Sequence, residues 1–176
     1  MEQLSYNIIL SLQKENNHIR AIANKLNINH MSISRSIKKL ENENVVDFKK
    51  EGKNKKYFLK NSIEAIEFLK IAEKVKLINS IKKHPRLRQI LKTISKKNLD
   101  LAIVFGSYAK NTETKNSDID IYFKTNNKEL KKEIEQIDSK ISVKIGEFNT
   151  NNLLIKEIIK NHIILKGVDK YYELIH

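Results

Sequence analysis

Apolar residues recur at helical spacing over residues 4–12, 19–26 and 31–40, which predicts three short helices at the start of the chain. Asn27, Ile28 and Asn29 predict a tight turn between the second and third, with Asn29 or His30 near the third helix's start and Asn29 as its N-cap. Residues 45–49 and 56–59 read as strands on either side of a turn at Glu51, Gly52, Lys53 and Asn54, hence a β-hairpin. A longer helical pattern over 62–84, with Ser62 as N-cap, runs to the only proline, Pro85, and a further helix covers 86–94. The remainder alternates. LDLAIVF reads as a buried strand, followed by a loop and short helix after Gly106. DIDIYF is a second strand, 128–137 a helix and ISVKIGEF a third strand. A helix over 153–159, a short apolar run IIL and a terminal amphipathic helix over 169–175 complete the chain.

Three helices and a basic hairpin within the first 61 residues are the winged form of a helix-turn-helix module. The alternating part predicts an α/β or α+β unit with one small sheet, so the fold class is α+β. The expected organisation is a winged helix-turn-helix domain over 1–61, connecting helices over 62–97 and a second domain over 98–176.

Composition narrows the chemistry. No apolar run reaches the about 18 residues of a membrane span, and MEQLSYNIIL lacks a basic start followed by a long apolar stretch. A soluble, cytoplasmic protein without a membrane partner is expected. The absence of cysteine excludes disulfides and thiolate metal sites. The histidines at 18, 30, 84, 162 and 176 lack ligand-like spacing, so any metal should be oxygen-bound. The net charge of +13 is unevenly spread: residues 1–60 carry +6, residues 61–97 carry +7, and residues 98–176 balance. A uniform lysine bias would not leave the last part neutral. The first half is built to meet a polyanion, with duplex DNA the foremost candidate.

Asp118, Ile119 and Asp120 on one strand place the two carboxylates on one face and the isoleucines Ile119 and Ile121 on the other. Two such carboxylates can hold Mg²⁺, a hard cation that also keeps water and phosphate oxygens in its shell. Gly106 lets the backbone approach a phosphate, and the Ser107 hydroxyl and the amides at the following helix start can bind its oxygens.

The stretch GSYAKNTETKNSDIDIYF resembles the DNA polymerase β-type nucleotidyltransferase superfamily, especially its minimal branch, over roughly residues 98–167. The resemblance rests on Gly106, Ser107, Tyr108, Ala109, Lys110, Ser117, Asp118, Ile119, Asp120 and Ile121. Asn111 stands where the family has glycine, and asparagine also visits a left-handed turn. The resemblance implies Mg²⁺ at Asp118 and Asp120, and an NTP held by Gly106, Ser107, Lys110 and Ser117. It also implies an acceptor hydroxyl, such as a side chain of a partner protein of the cognate-toxin kind. The family's third acid has no counterpart on the Ser142, Lys144, Gly146 face of ISVKIGEF. Glu147 is the nearest carboxylate and would reach that face only across a bulge at Gly146.

IRAIANKLNINHMSISRSIKKLENENVV resembles the winged-helix transcriptional regulators over residues 3–60. Ile33, Ile37 and Leu40 form its inward stripe, which turns Met31, Arg35 and Lys38 outward with Ser32, Ser34 and Lys39 beside them. The hairpin lysines Lys49, Lys50, Lys53, Lys55 and Lys56 would add phosphate contacts. Winged helices also act as dimerisation modules, so a homodimer is a further expectation. The rival reading is a non-catalytic DNA-binding regulator that senses a nucleotide or partner through the second domain.

Overall fold

A computed structural model describes residues 3–175. Met1 and Glu2 of the N-terminal stretch, and His176 among the five histidines, lie outside the described residues. The chain forms two compact units that divide between Val75 and Lys76.

The first unit contains α1 (Gln3–Lys14), α2 (Ile19–Leu26), α3 (His30–Asn42), β1 (Val46–Glu51), β2 (Asn54–Leu59) and the first part of α4 (Ile63–Lys83). Its core is the apolar stripe of each helix: Ile8, Ile9, Leu12, Ile22, Ile33, Ile37 and Leu40 are all buried. Local chemistry sets the boundaries. The Asn29 side chain accepts the Met31 N–H at 2.8 Å, capping α3, and Ser62 Oγ accepts the Ala65 N–H at 3.1 Å at the start of α4. The hairpin register runs from Val46↔Leu59 to Glu51↔Asn54, which leaves Gly52 and Lys53 as the turn. Asn17 exchanges backbone hydrogen bonds with Tyr57 at 3.0 and 2.9 Å, tying the α1–α2 link to the hairpin. No sequence pattern announced that bridge.

The second unit contains the rest of α4, α5 (Leu87–Ser95), β3 (Ala102–Phe105), α6 (Gly106–Lys110), β4 (Ile119–Lys124), α7 (Lys128–Glu135), β5 (Ile141–Gly146), α8 (Leu153–Lys160), β6 (Ile163–Lys166) and α9 (Val168–Ile175). Its sheet has the order β5-β4-β3-β6, with β4 and β5 parallel and the other pairs antiparallel. The IIL run is therefore a fourth strand. One face carries Ala102, Val104, Ile119, Ile121, Phe123 and Val143 into a core closed by Leu87, Ile90 and Ile94 of α5 and by Leu130 and Ile134 of α7. Helix α5, expected as part of a connecting segment, is thus core of this unit. Among the described residues no helix is long and apolar enough to cross a membrane.

Candidate functional site

The site grows from the junction of β3 with α6. Phe105 pairs with Asp120 across the antiparallel β3–β4 ladder, so the chain leaves β3 at Gly106 directly beside the Asp120 carboxylate. Gly106 has φ +68°, and a Cβ there would stand 2.5 Å from Asp120 Oδ2, so both conformation and space require glycine. Ser107 follows, half-buried, and no described residue bonds its hydroxyl. Helix α6 ends at Asn111, whose φ of 57° and ψ of 35° are left-handed and whose N–H caps the Ser107 and Tyr108 carbonyls. Asparagine thus adopts here the left-handed turn that glycine would take in the family the stretch resembles.

The loop that returns to β4 is braced at both ends. The Ser117 hydroxyl accepts the Thr114 N–H at 2.8 Å, so this predicted nucleotide-binding group shapes the loop from within. His84 packs edge-on against Tyr108 with ring centroids 4.9 Å apart and places Nε2 3.6 Å from Glu113, which also pairs with Lys83 at 2.6 Å. Burial holds the His84 pKa below its ordinary value; Glu113 opposes that shift and Lys83 adds to it. Sequence reading singled out none of these three side chains for this role, because their spacing matches no local pattern.

Asp118 is exposed immediately before β4, and Asp120 is half-buried on the strand. Burial raises the Asp120 carboxyl above its usual range, the negative Asp118 raises it further, and Lys144 partly offsets both. The β4–β5 register runs without a shift from Ile119↔Ile141 to Lys124↔Gly146, so there is no bulge to turn Glu147 inward. Glu147 stays exposed and pairs with Lys124 at 3.5 Å, outside the charges that act on Asp120. Its charge instead adds to burial in pushing the Tyr122 hydroxyl up to about 12. Lys110, expected near phosphate, pairs with Glu157 at 2.7 Å.

Residues 88–171 match the family model for polymerase beta, nucleotidyltransferase. No curated protein and no solved structure matches the chain. The family match supports the nucleotidyltransferase superfamily for this unit and nucleotidyl transfer as its general chemistry. It begins inside α5, in keeping with the burial of Leu87, Ile90 and Ile94 in the unit's core. Nucleotidyltransferase domains of this family generally use divalent metals. Among the described residues, however, no group of three or more His, Cys, Asp or Glu side chains gathers as a metal site. The donor set here is the carboxylate pair alone. That pair fits a cation whose remaining positions are taken by phosphate oxygens and water, rather than one held in an all-protein cage.

In the first unit, Met31, Arg35, Lys38 and Lys39 are exposed on α3 and Ser32 and Ser34 half-buried. Lys49, Lys50, Lys53 and Lys55 are exposed on the hairpin, while Lys56 is half-buried and pairs with Glu51 at 3.0 Å. Lys55 Nζ lies 3.7 Å from the Phe48 ring centroid, a cation–π contact.

Proposed function

We propose that this chain is a DNA-binding protein whose second unit transfers a nucleoside monophosphate from an NTP to an acceptor hydroxyl, with Mg²⁺ held by Asp118 and Asp120. The observation that carries the reading is the seating of Gly106 against the Asp120 carboxylate, with the free Ser107 hydroxyl next in the chain. That arrangement brings an anion-binding backbone turn and a cation-binding pair to one place. Bound Mg²⁺ would supply charge neutralisation on the phosphates. The transfer joins the acceptor oxygen to the α-phosphorus, breaks the bond to the β-phosphate and releases pyrophosphate. The acceptor we favour is a tyrosine, serine or threonine of a partner protein, such as a cognate toxin.

Positioned bases contribute about 10²- to 10⁴-fold, and among the described residues no third carboxylate gathers with the pair to take the acceptor's proton. Transfer is therefore expected to be weak unless the acceptor protein supplies that group. The test is to incubate the full chain with labelled NTPs, Mg²⁺ and cell extract and to look for labelled macromolecules. Glu147→Gln should label as well as the parent, because Glu147 sits with Lys124. A large loss of labelling in that variant would return Glu147 to the catalytic set. If NTP with Mg²⁺ stabilises the protein but no acceptor is ever labelled, the second reading, a nucleotide-sensing regulator, replaces the first; the missing third carboxylate is what favours it.

The DNA reading takes α2 and α3 as a helix-turn-helix and the hairpin as its wing. The exposed Arg35 is suited to base edges and the wing lysines to phosphate. A homodimer would match a two-fold DNA site. Duplex binding by the full chain should fall by about 10³-fold or more between 50 and 200 mM salt if six or more phosphates are neutralised. Arg35→Ala should relax sequence preference at a cost of about 1–3 kcal/mol on the preferred site, whereas Lys53→Ala should weaken all sequences alike. Fluorescence anisotropy across a salt series measures both, and salt-independent binding would overturn the electrostatic assignment.

A further inference from the structure

Among the described residues, the charges that act on the Asp120 carboxylate are those of Asp118 and Lys144. The parallel register opposes Asp120 to Ser142 and Tyr122 to Lys144, so Ser142 and Lys144 share the sheet face that carries Asp120. The diagonal between such neighbours is about 7–8 Å at the backbone, well within reach of a lysine side chain. Three other lysines of this unit are engaged: Lys110 with Glu157, Lys124 with Glu147, and Lys140 with the Lys115 carbonyl. Lys144 is exposed, and among the described residues no carboxylate forms an ion pair with it.

A carboxylate pair flanked by an ammonium differs in kind from a cluster of acids. Two negative charges call for one divalent cation, and a positive charge beside them repels a second. The same ammonium, three-pronged and mobile on its stem, offers a point charge to a phosphate oxygen. The Ser142 hydroxyl, directly opposite Asp120, is placed to add a neutral hydrogen bond.

We propose that Lys144 is a phosphate anchor of this site, binding the nucleotide directly from β5 so that the NTP is held with a single divalent cation. The proposal rests on the nucleotide reading above and deepens it: Asp118 and Asp120 hold the cation, and Lys144 supplies the positive charge on the opposite flank. Lys144 accordingly contributes to NTP affinity with or without metal, whereas the aspartates contribute only with it.

Calorimetric titration of the full chain with ATP and GTP, with Mg²⁺ and with EDTA, separates the two roles. Mn²⁺ replaces Mg²⁺ in a parallel spin-resonance count of bound ions. Lys144→Ala should weaken NTP binding roughly tenfold or more in both conditions, as expected for losing a charge-assisted contact. Lys144→Arg should recover most of the affinity. The parent should bind one Mn²⁺ per chain in the presence of NTP, and Lys144→Glu should raise that number. Circular dichroism of each variant should match the parent, because the side chain is exposed. NTP affinity within twofold of the parent in Lys144→Ala, with metal-dependent binding still lost in Asp118→Asn, would overturn the Lys144 role and leave the nucleotide reading standing. Two Mn²⁺ ions in the parent would likewise overturn the single-cation claim. No binding of any NTP by the parent would overturn both.

Discussion

Replacing Asp118 and Asp120 together by asparagine should abolish the Mg²⁺-dependent part of NTP stabilisation while leaving the ligand-free protein at least as stable as the parent. A ligand at a hundredfold excess over its Kd stabilises by about 2.7 kcal/mol, which for a unit of this size is a shift on the order of 10 °C in Tm. That shift is what the double variant should lose. The gain without ligand follows from the electrostatics. Burial and the neighbouring Asp118 raise the Asp120 pKa above its ordinary 3.8. The folded state therefore holds this proton more tightly than the unfolded state does. The associated stability is fully present below the ordinary pKa and is lost as pH rises through the raised one. Asparagine at 120 has no such loss, so melting curves without nucleotide should favour the variant increasingly as pH climbs toward neutrality. A metal-dependent shift that survives in the double variant would place the metal elsewhere.

Gly167→Ala should have the largest effect on stability of any single methyl addition. Gly167 links β6 to α9 at φ +81°, and a Cβ there would collide with the Asp100 carbonyl oxygen and lie 2.9 Å from its carbon. Its own carbonyl accepts the Tyr171 N–H at 2.9 Å, and the next backbone carbonyl after Asp100, that of Leu101, accepts the Lys124 N–H at 3.1 Å. Neither strand end can retreat without loosening these bonds. A left-handed alanine costs about 1–2 kcal/mol and forced overpacking about 1–3 kcal/mol more, a large share of the about 5–15 kcal/mol of a whole domain. Hydrogen exchange should show protection falling in Ala102–Phe105 and Ile163–Lys166. An unchanged denaturation midpoint would mean that the backbone yields here at no cost.

The helices of the first unit were legible because their information is local. The 3.6-residue stripe of Ile33, Ile37 and Leu40 selects one face, and Asn29 and Ser62 bond amides two and three residues away. The glycine at 106 and the left-handed Asn111 are local in the same sense, whereas Asp118, expected on the strand with Asp120, falls just before β4 begins at Ile119. IIL was not legible as a strand, since a run that short fits a buried helix turn as well; pairing with β3 decides it. The amphipathic pattern of α5 predicted a helix but not its home, because an apolar stripe does not say which core it enters.

The sequence by itself determined the Gly106 turn and the place of Asp120 beside it at the start of β4, since these depend on backbone geometry within a few residues. Only the tertiary structure decided which groups surround them. The unshifted parallel register of β4 with β5 sets Ser142 opposite Asp120 and Lys144 on the same face, and keeps Glu147 out with Lys124. The packing of α8 takes Lys110 to Glu157. These partners lie about 20 to 50 positions apart in the chain, and no local periodicity encodes a pairing at that range. It is fixed when the apolar faces of the strands must share one core, which sets the register and thereby the charge that stands beside each carboxylate.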